Sequence, residues 1–226
     1  MISIENRDGA TTFANACLSG NLYLVKYLVK QGADINKQNN KRSTPMFEAC
    51  VSGNENLVRY LLELGADINK EEKPAGATPL FHACSSGNVN LVRYLVEQGA
   101  DVNKQITDGC TPLYNATCYT TEGHEKIVKY LVEQGADINK KSDDGFTPFF
   151  NTCASGNMNI VRYLVEKGVD INIQSKNGFT PLLNATSKGN VDVVRYLVEQ
   201  GANINKQCNN GEYHYIWLVV KDMKML

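Results

Sequence analysis

Apolar positions along the chain fall into two alternating helical stripes. Between Thr78 and Asn103, Leu80, Ala83 and Cys84 lie at i, i+3 and i+4, which predicts a short helix with a narrow inward stripe of small residues. Beyond Gly87 a wider stripe follows, with Leu91, Val92, Leu95 and Val96 on the core side and Arg93 and Glu97 on the wet side. Thr78 can accept a hydrogen bond from an orphan amide of the first turn, and Pro79 at the first helical position removes a donor that had no partner. Gly87 and Gly99 supply left-handed stops. Both helices are under about a dozen residues, a length that is marginal in isolation.

The whole pattern recurs. Its opening threonine appears at Thr11, Thr44, Thr78, Thr111, Thr147 and Thr180, at successive spacings of 33, 34, 33, 36 and 33 residues. A fixed period of this length predicts a stacked repeat protein, because a unit of two short helices cannot bury its own stripes and must lie against a neighbour. The expected architecture is an all-α repeat solenoid, one continuous domain over 1–226. Its repeats are placed at 6–38, 39–71, 72–105, 106–141, 142–174 and 175–207, with a degenerate C-terminal half repeat at 208–226.

The phrases Thr-Pro-Leu-x-x-Ala, Ser-Gly-Asn, Leu-Val-Arg-Tyr-Leu-Val-Glu and Gly-Ala-Asp-Ile-Asn at this spacing resemble the ankyrin repeat over about residues 6 to 212. The resemblance implies helix-turn-helix units joined by β-hairpin loops. It also implies a non-catalytic protein–protein interaction scaffold that presents a concave surface of hairpin tips and first-helix edges. A substrate-recruiting adaptor subunit for a separate enzyme, such as a ubiquitin ligase, stays open as the alternative. Where the family usually has histidine third after the threonine, this chain has Ala14, Phe47, Phe81, Tyr114, Phe150 and Leu183. These are read as packing residues.

Charge narrows the partner classes. With 23 basic and 24 acidic residues the net charge is -1, and no run of like charges forms a basic track, so neither nucleic acid nor membrane is expected as a partner. No secretory signal is recognised at Met1–Asp8, and no apolar run is long enough to span a bilayer, so a cytoplasmic location is expected. Cys17, Cys50, Cys84 and Cys153 share one repeat position and read as small apolar fillers. No cysteine pair has metal or redox spacing, and no phosphate loop, metal-binding helix or nucleophile motif is present, so catalytic residues, cofactors and metals are all expected to be none.

Departures from the repeat supply the candidate site. Repeat 4 has three extra residues within Thr117–Glu122, expected to leave through a loop that projects Tyr119, Thr120 and Thr121. Immediately before the threonine, where earlier repeats have Ser43, Ala77 and Cys110, repeats 5 and 6 place Phe146 and Phe179. Tyr119, Phe146 and Phe179, with Asp108, Cys110, Asp143 and Asp144 nearby, are the seven candidate partner-binding residues and fit the description of a few aromatic anchors in a polar rim. The competing reading is that both phenylalanines pack on the neighbouring hairpin. Arg59/Glu63, Arg93/Glu97, Lys129/Glu133, Arg162/Glu166 and Arg195/Glu199 are read as solvated i, i+4 pairs, each contributing a few tenths of a kcal/mol. At the C-terminal end, Tyr215 to Leu226 reads either as a cap on repeat 6 or as an apolar patch through which a homodimer could form.

Overall fold

The computed structural model describes residue 9 and residues 11–209; the Tyr215–Leu226 segment lies outside the described residues. The described chain forms twelve helices that alternate in sequence between two layers. The first helices of the pairs are α1 (Thr12–Leu18), α3 (Pro45–Ser52), α5 (Pro79–Ala83), α7 (Pro112–Ala116), α9 (Pro148–Ser155) and α11 (Pro181–Ser187). The second helices are α2 (Leu22–Lys30), α4 (Glu55–Glu63), α6 (Val89–Glu97), α8 (Glu122–Glu133), α10 (Met158–Glu166) and α12 (Val191–Glu199). Each first helix packs on the first helix of the next pair, and each second helix on the next second helix. Between the layers runs one elongated core, in which Leu57, Leu61, Leu80, Leu91, Leu95, Leu113, Ile127, Leu131 and Phe149 are wholly shielded from water. Burying each such side chain contributes about 1.5–3 kcal/mol.

Loop chemistry explains why the stack keeps register. Each second helix ends on a left-handed glycine, and the next residue donates back into the last turn, as Ala66 to the Leu61 carbonyl at 3.0 Å and Ala136 to Leu131 at 2.9 Å. An aspartate two residues on then accepts from the asparagine amide that follows, as Asp67 from Asn69 and Asp137 from Asn139, both at 2.9 Å. The reverse turns after these are closed by bonds such as Ser142 N–H to the Phe146 carbonyl at 2.8 Å; no extended strand forms among the described residues.

Asparagine ties one pair to the next. Asn54 and Asn88 cap their own helices through Oδ1 while their Nδ2 groups donate, each at 2.7 Å, to the carbonyls of Gly20 and Gly53 in the preceding pair. In repeat 4 the aligned residue is His124, which is buried. Its Nε2–H donates to the Ser85 carbonyl at 3.2 Å, so Nδ1 is left as acceptor for the Thr121 hydroxyl at 2.6 Å.

The three extra residues of repeat 4 do not leave as a loop. They lengthen α8 at its N-terminus, giving twelve residues where the other second helices have nine, with Thr121 as the new cap. The extension is compatible with the stack because Gly123 has no side chain: a Cβ there would lie 2.2 Å from the Gly87 carbonyl oxygen. Tyr119 is 42% exposed, but its ring stacks on His124 at 4.5 Å.

The i, i+4 surface pairs are also corrected. None of the five is an ion pair; Arg59 reaches back to Glu55 at 2.7 Å instead. The bases serve the next second helix: Lys26, Arg59, Arg93, Lys129 and Arg162 lie over the rings of Tyr60, Tyr94, Tyr130, Tyr163 and Tyr196, at 5.2, 3.6, 4.6, 5.7 and 4.6 Å from the ring centroids. Every junction between second helices therefore carries a cation–π contact, each contributing about 0.5–1 kcal/mol at a partly exposed site.

Candidate functional site

The turns that join successive pairs sit side by side and are linked through their backbones. Lys73 donates to the Lys41 carbonyl, Thr107 to Ala75, Asp143 to Asp108, Lys176 to Asp144 and Asn209 to Asn177, at 2.7 to 2.9 Å. Close approach of these tips is why glycine precedes the turn root. A Cβ on Gly109 would lie 2.8 Å from the Asp143 amide nitrogen, and one on Gly145 2.8 Å from that of Lys176. Arg42 occupies the equivalent place in repeat 2 with φ of 57°, the one non-glycine residue in the left-handed region among the described residues.

Six of the seven candidate residues lie on this face, and Tyr119 does not. Asp108, Asp143 and Asp144 are exposed tip residues whose backbones form two consecutive rungs, and their carboxylates make no ion pair among the described residues. Between them lies half-buried Cys110, whose thiol is pushed up to about 11, first by burial and then by the charges of Asp108, Cys118, Asp143 and Asp144. Phe146 follows on the next turn root, half-buried, with its ring edge-on to that of fully buried Phe150 at 5.0 Å. Phe179, one root further, is half-buried and packed against the main core. Tyr119 stands apart from the roots, beyond the C-terminal end of α7, in contact with His124.

First-helix residues complete the face. Asn115, Asn151 and Asn184 donate across the junctions to the carbonyls of Phe81, Tyr114 and Phe150 at 2.7, 3.4 and 2.9 Å. Tyr114 is half-buried beside Cys110 and Cys118, and burial, followed by those two thiols, raises its hydroxyl pKa. In repeats 2 and 3 the same column carries Glu48 and His82, and His82 bonds Glu72 of the neighbouring tip at 3.0 Å. Glu48 is held above the usual carboxylate range, mainly by burial.

The packing readings of the aromatic column hold for Phe47 and Phe150, which are buried, whereas Phe81 and Tyr114 keep part of their surface exposed. Cys17, Cys50, Cys84 and Cys153 are buried fillers, and burial pushes the Cys17 thiol up to about 12 and the other three further in the same direction. Two features were missed from sequence: the base–tyrosine contacts and the role of His124. The signals were present in the recurring pairs Lys26-Tyr27, Arg59-Tyr60, Arg93-Tyr94, Lys129-Tyr130, Arg162-Tyr163 and Arg195-Tyr196, and in Gly123-His124 standing where another repeat has Gly87-Asn88.

Fold and face together define a helical repeat solenoid whose clefts are open grooves between neighbouring units. A family model described as Ankyrin repeats (3 copies) matches residues 2–72, 67–142 and 122–208, and the chain belongs to that family. The crystal structure of the human ASB11 ankyrin repeat domain is similar, with a TM-score of 0.80 and 29% identity over 90% of this chain and 89% of that one. No curated protein sequence matches the chain. Ankyrin repeats are in general protein–protein interaction modules. Among the described residues no helix is long and apolar enough to cross a membrane.

Proposed function

We propose that the chain is a non-catalytic scaffold, a single array over 1–226 with six full repeats, that captures a partner protein on the concave face of turn tips and first-helix edges. The contact is centred on repeats 4 to 6, and the protein acts in the cytoplasm. One observation carries this reading: Phe146 is clamped edge-on against buried Phe150, while its outer surface lies open beside the unpaired carboxylates of Asp108, Asp143 and Asp144. A rigid, partly apolar anchor inside a polar rim that mixes Asp108, Asp143 and Asp144 with Lys141 and Lys176 fits a partner segment that offers an apolar side chain flanked by polar and charged groups of both signs. Backbone bonds between the tips support the same reading, because a face already held in place loses little entropy on docking.

The test is a quantitative cross-linked pull-down from native extract, comparing the wild type with Tyr119→Ala/Phe146→Ala/Phe179→Ala after circular dichroism confirms that both fold. A partner retained by the wild type and reduced at least about tenfold with the variant supports the site. Equal recovery with both removes it. Recovery of ubiquitin-ligase subunits with that partner would identify the substrate-recruiting form of the same scaffold.

A further inference from the structure

Among the described residues, the base–tyrosine series along the second helices is closed at each internal junction and open at both ends. Tyr27 has no described base over its ring and is 58% exposed, against 6% for Tyr130 and 9% for Tyr196. Leu24 shares the position of Leu57, Leu91 and Ile127, which are fully buried, yet is itself 42% exposed. A helix whose outer side is meant to face water would present polar residues here. Instead α2 shows water Tyr23, Leu24 and Tyr27.

At the other end Arg195 is exposed and lies over no described ring, and Val191 and Ile204 are exposed, although their counterparts Val89, Met158, Ile138 and Ile171 pack against the core. Charge is complementary as well. Lys30 stands where the other second helices have Glu63, Glu97, Glu133, Glu166 and Glu199. Within the chain that acid lies near the tyrosine of the next pair, since Glu97 raises the Tyr130 pKa and Glu133 that of Tyr163. A unit stacked on α2 in the same way brings a glutamate toward Lys30.

We infer that the surface left open on α2 is covered by the α12 end of a second copy of this chain, stacked head to tail. Arg195 of one copy then lies over Tyr27 of the next, and Glu199 approaches Lys30. Each such junction repeats the contact already made five times within the chain. Because the two surfaces differ, the association is heterologous and adds copies in a row unless it closes into a ring.

Sedimentation velocity on the full chain over a dilution series tests this, with Tyr27→Ala, Arg195→Glu and Lys30→Glu as variants whose folding is confirmed by thermal melts. The wild type is expected to grow past a dimer with concentration, and each variant to associate at least about tenfold more weakly. An equimolar mixture of Tyr27→Ala and Arg195→Glu is expected to stop at a dimer, since only one intact junction can form. A wild type that stays monomeric overturns the inference. So does an oligomer untouched by the variants, which would place the contact elsewhere, for example at Tyr215–Leu226. Loss of association with Tyr27→Ala but not Arg195→Glu would also overturn it, because that pattern belongs to two α2 ends meeting each other.

Discussion

The layer of second helices and the face of tips and first helices are built by the same repeat, yet they differ in how much they vary along the chain. Across the second helices each junction makes the same contact, a base over the next tyrosine above a continuous aliphatic core. Across the tips the root position changes from Ser43 to Ala77, Cys110, Phe146 and Phe179, and the first-helix column changes from Glu48 to His82 and then to asparagine. The layer that repeats holds the stack, and the layer that varies is the one on which we propose that the partner docks.

The largest effect that would sharpen this comparison is Leu95→Ala in the second-helix layer. It is expected to cost about 3 kcal/mol in urea unfolding, because Leu95 has no exposure and the packed layers on both sides cannot close the hole. Phe146→Ala, on the varying face, should cost less stability than Leu95→Ala. An equal loss would mean that the face is as structural as the layer behind it.

Two threonines at one repeat position should then respond with opposite signs. Thr147 Oγ1 is buried without a hydrogen-bond partner, so Thr147→Val is expected to stabilise by about 1 kcal/mol. Thr111 accepts from the Tyr114 amide at 3.2 Å, so Thr111→Val is expected to destabilise by about 1 kcal/mol in the same denaturation assay.

Smaller again is Arg93→Ala, which opens one rung over Tyr130 and should cost about 0.5–1 kcal/mol. Removing the rungs at Arg93 and Arg162 together should give the sum of the single losses, since they act at separate junctions. The smallest effect is Glu48→Gln. Burial raises the Glu48 pKa, so between the ordinary carboxylate range and that raised value the folded chain binds more protons than the unfolded one, and stability falls as pH rises through the window. The variant should be slightly more stable at pH 7, with the difference closing below about pH 4, where the carboxyl is protonated in both states.

Much of the fold was legible in the sequence because period, capping residues and apolar stripes all specify local structure, and each unit is about the same. The helix starts at Pro79, Pro112 and Pro181 and the stops at Gly53 and Gly156 follow from backbone chemistry alone. What was not legible depends on contacts about 34 residues apart. The base–acid spacing of Arg93 and Glu97 is correct for an i, i+4 pair, but an arginine that can lie flat on a tyrosine ring of the next helix gains more there than from an exposed ion pair. The extra residues of repeat 4 read as a loop because the space above Gly87 that admits Gly123 belongs to the preceding unit. Of the candidate site, the shared root position of Cys110, Phe146 and Phe179 was visible as a repeat column, with Asp108, Asp143 and Asp144 close by in sequence. The separate position of Tyr119 followed from the lengthened α8 and was not.

The most direct test of the central claim is cross-linking with mass spectrometry on the isolated complex between this chain and its partner. The account predicts lysine cross-links to the partner at Lys141 and Lys176, the exposed tip residues beside Phe146 and Phe179. Cross-links confined to Lys26, Lys126 and Lys129, on the second-helix layer, would contradict it.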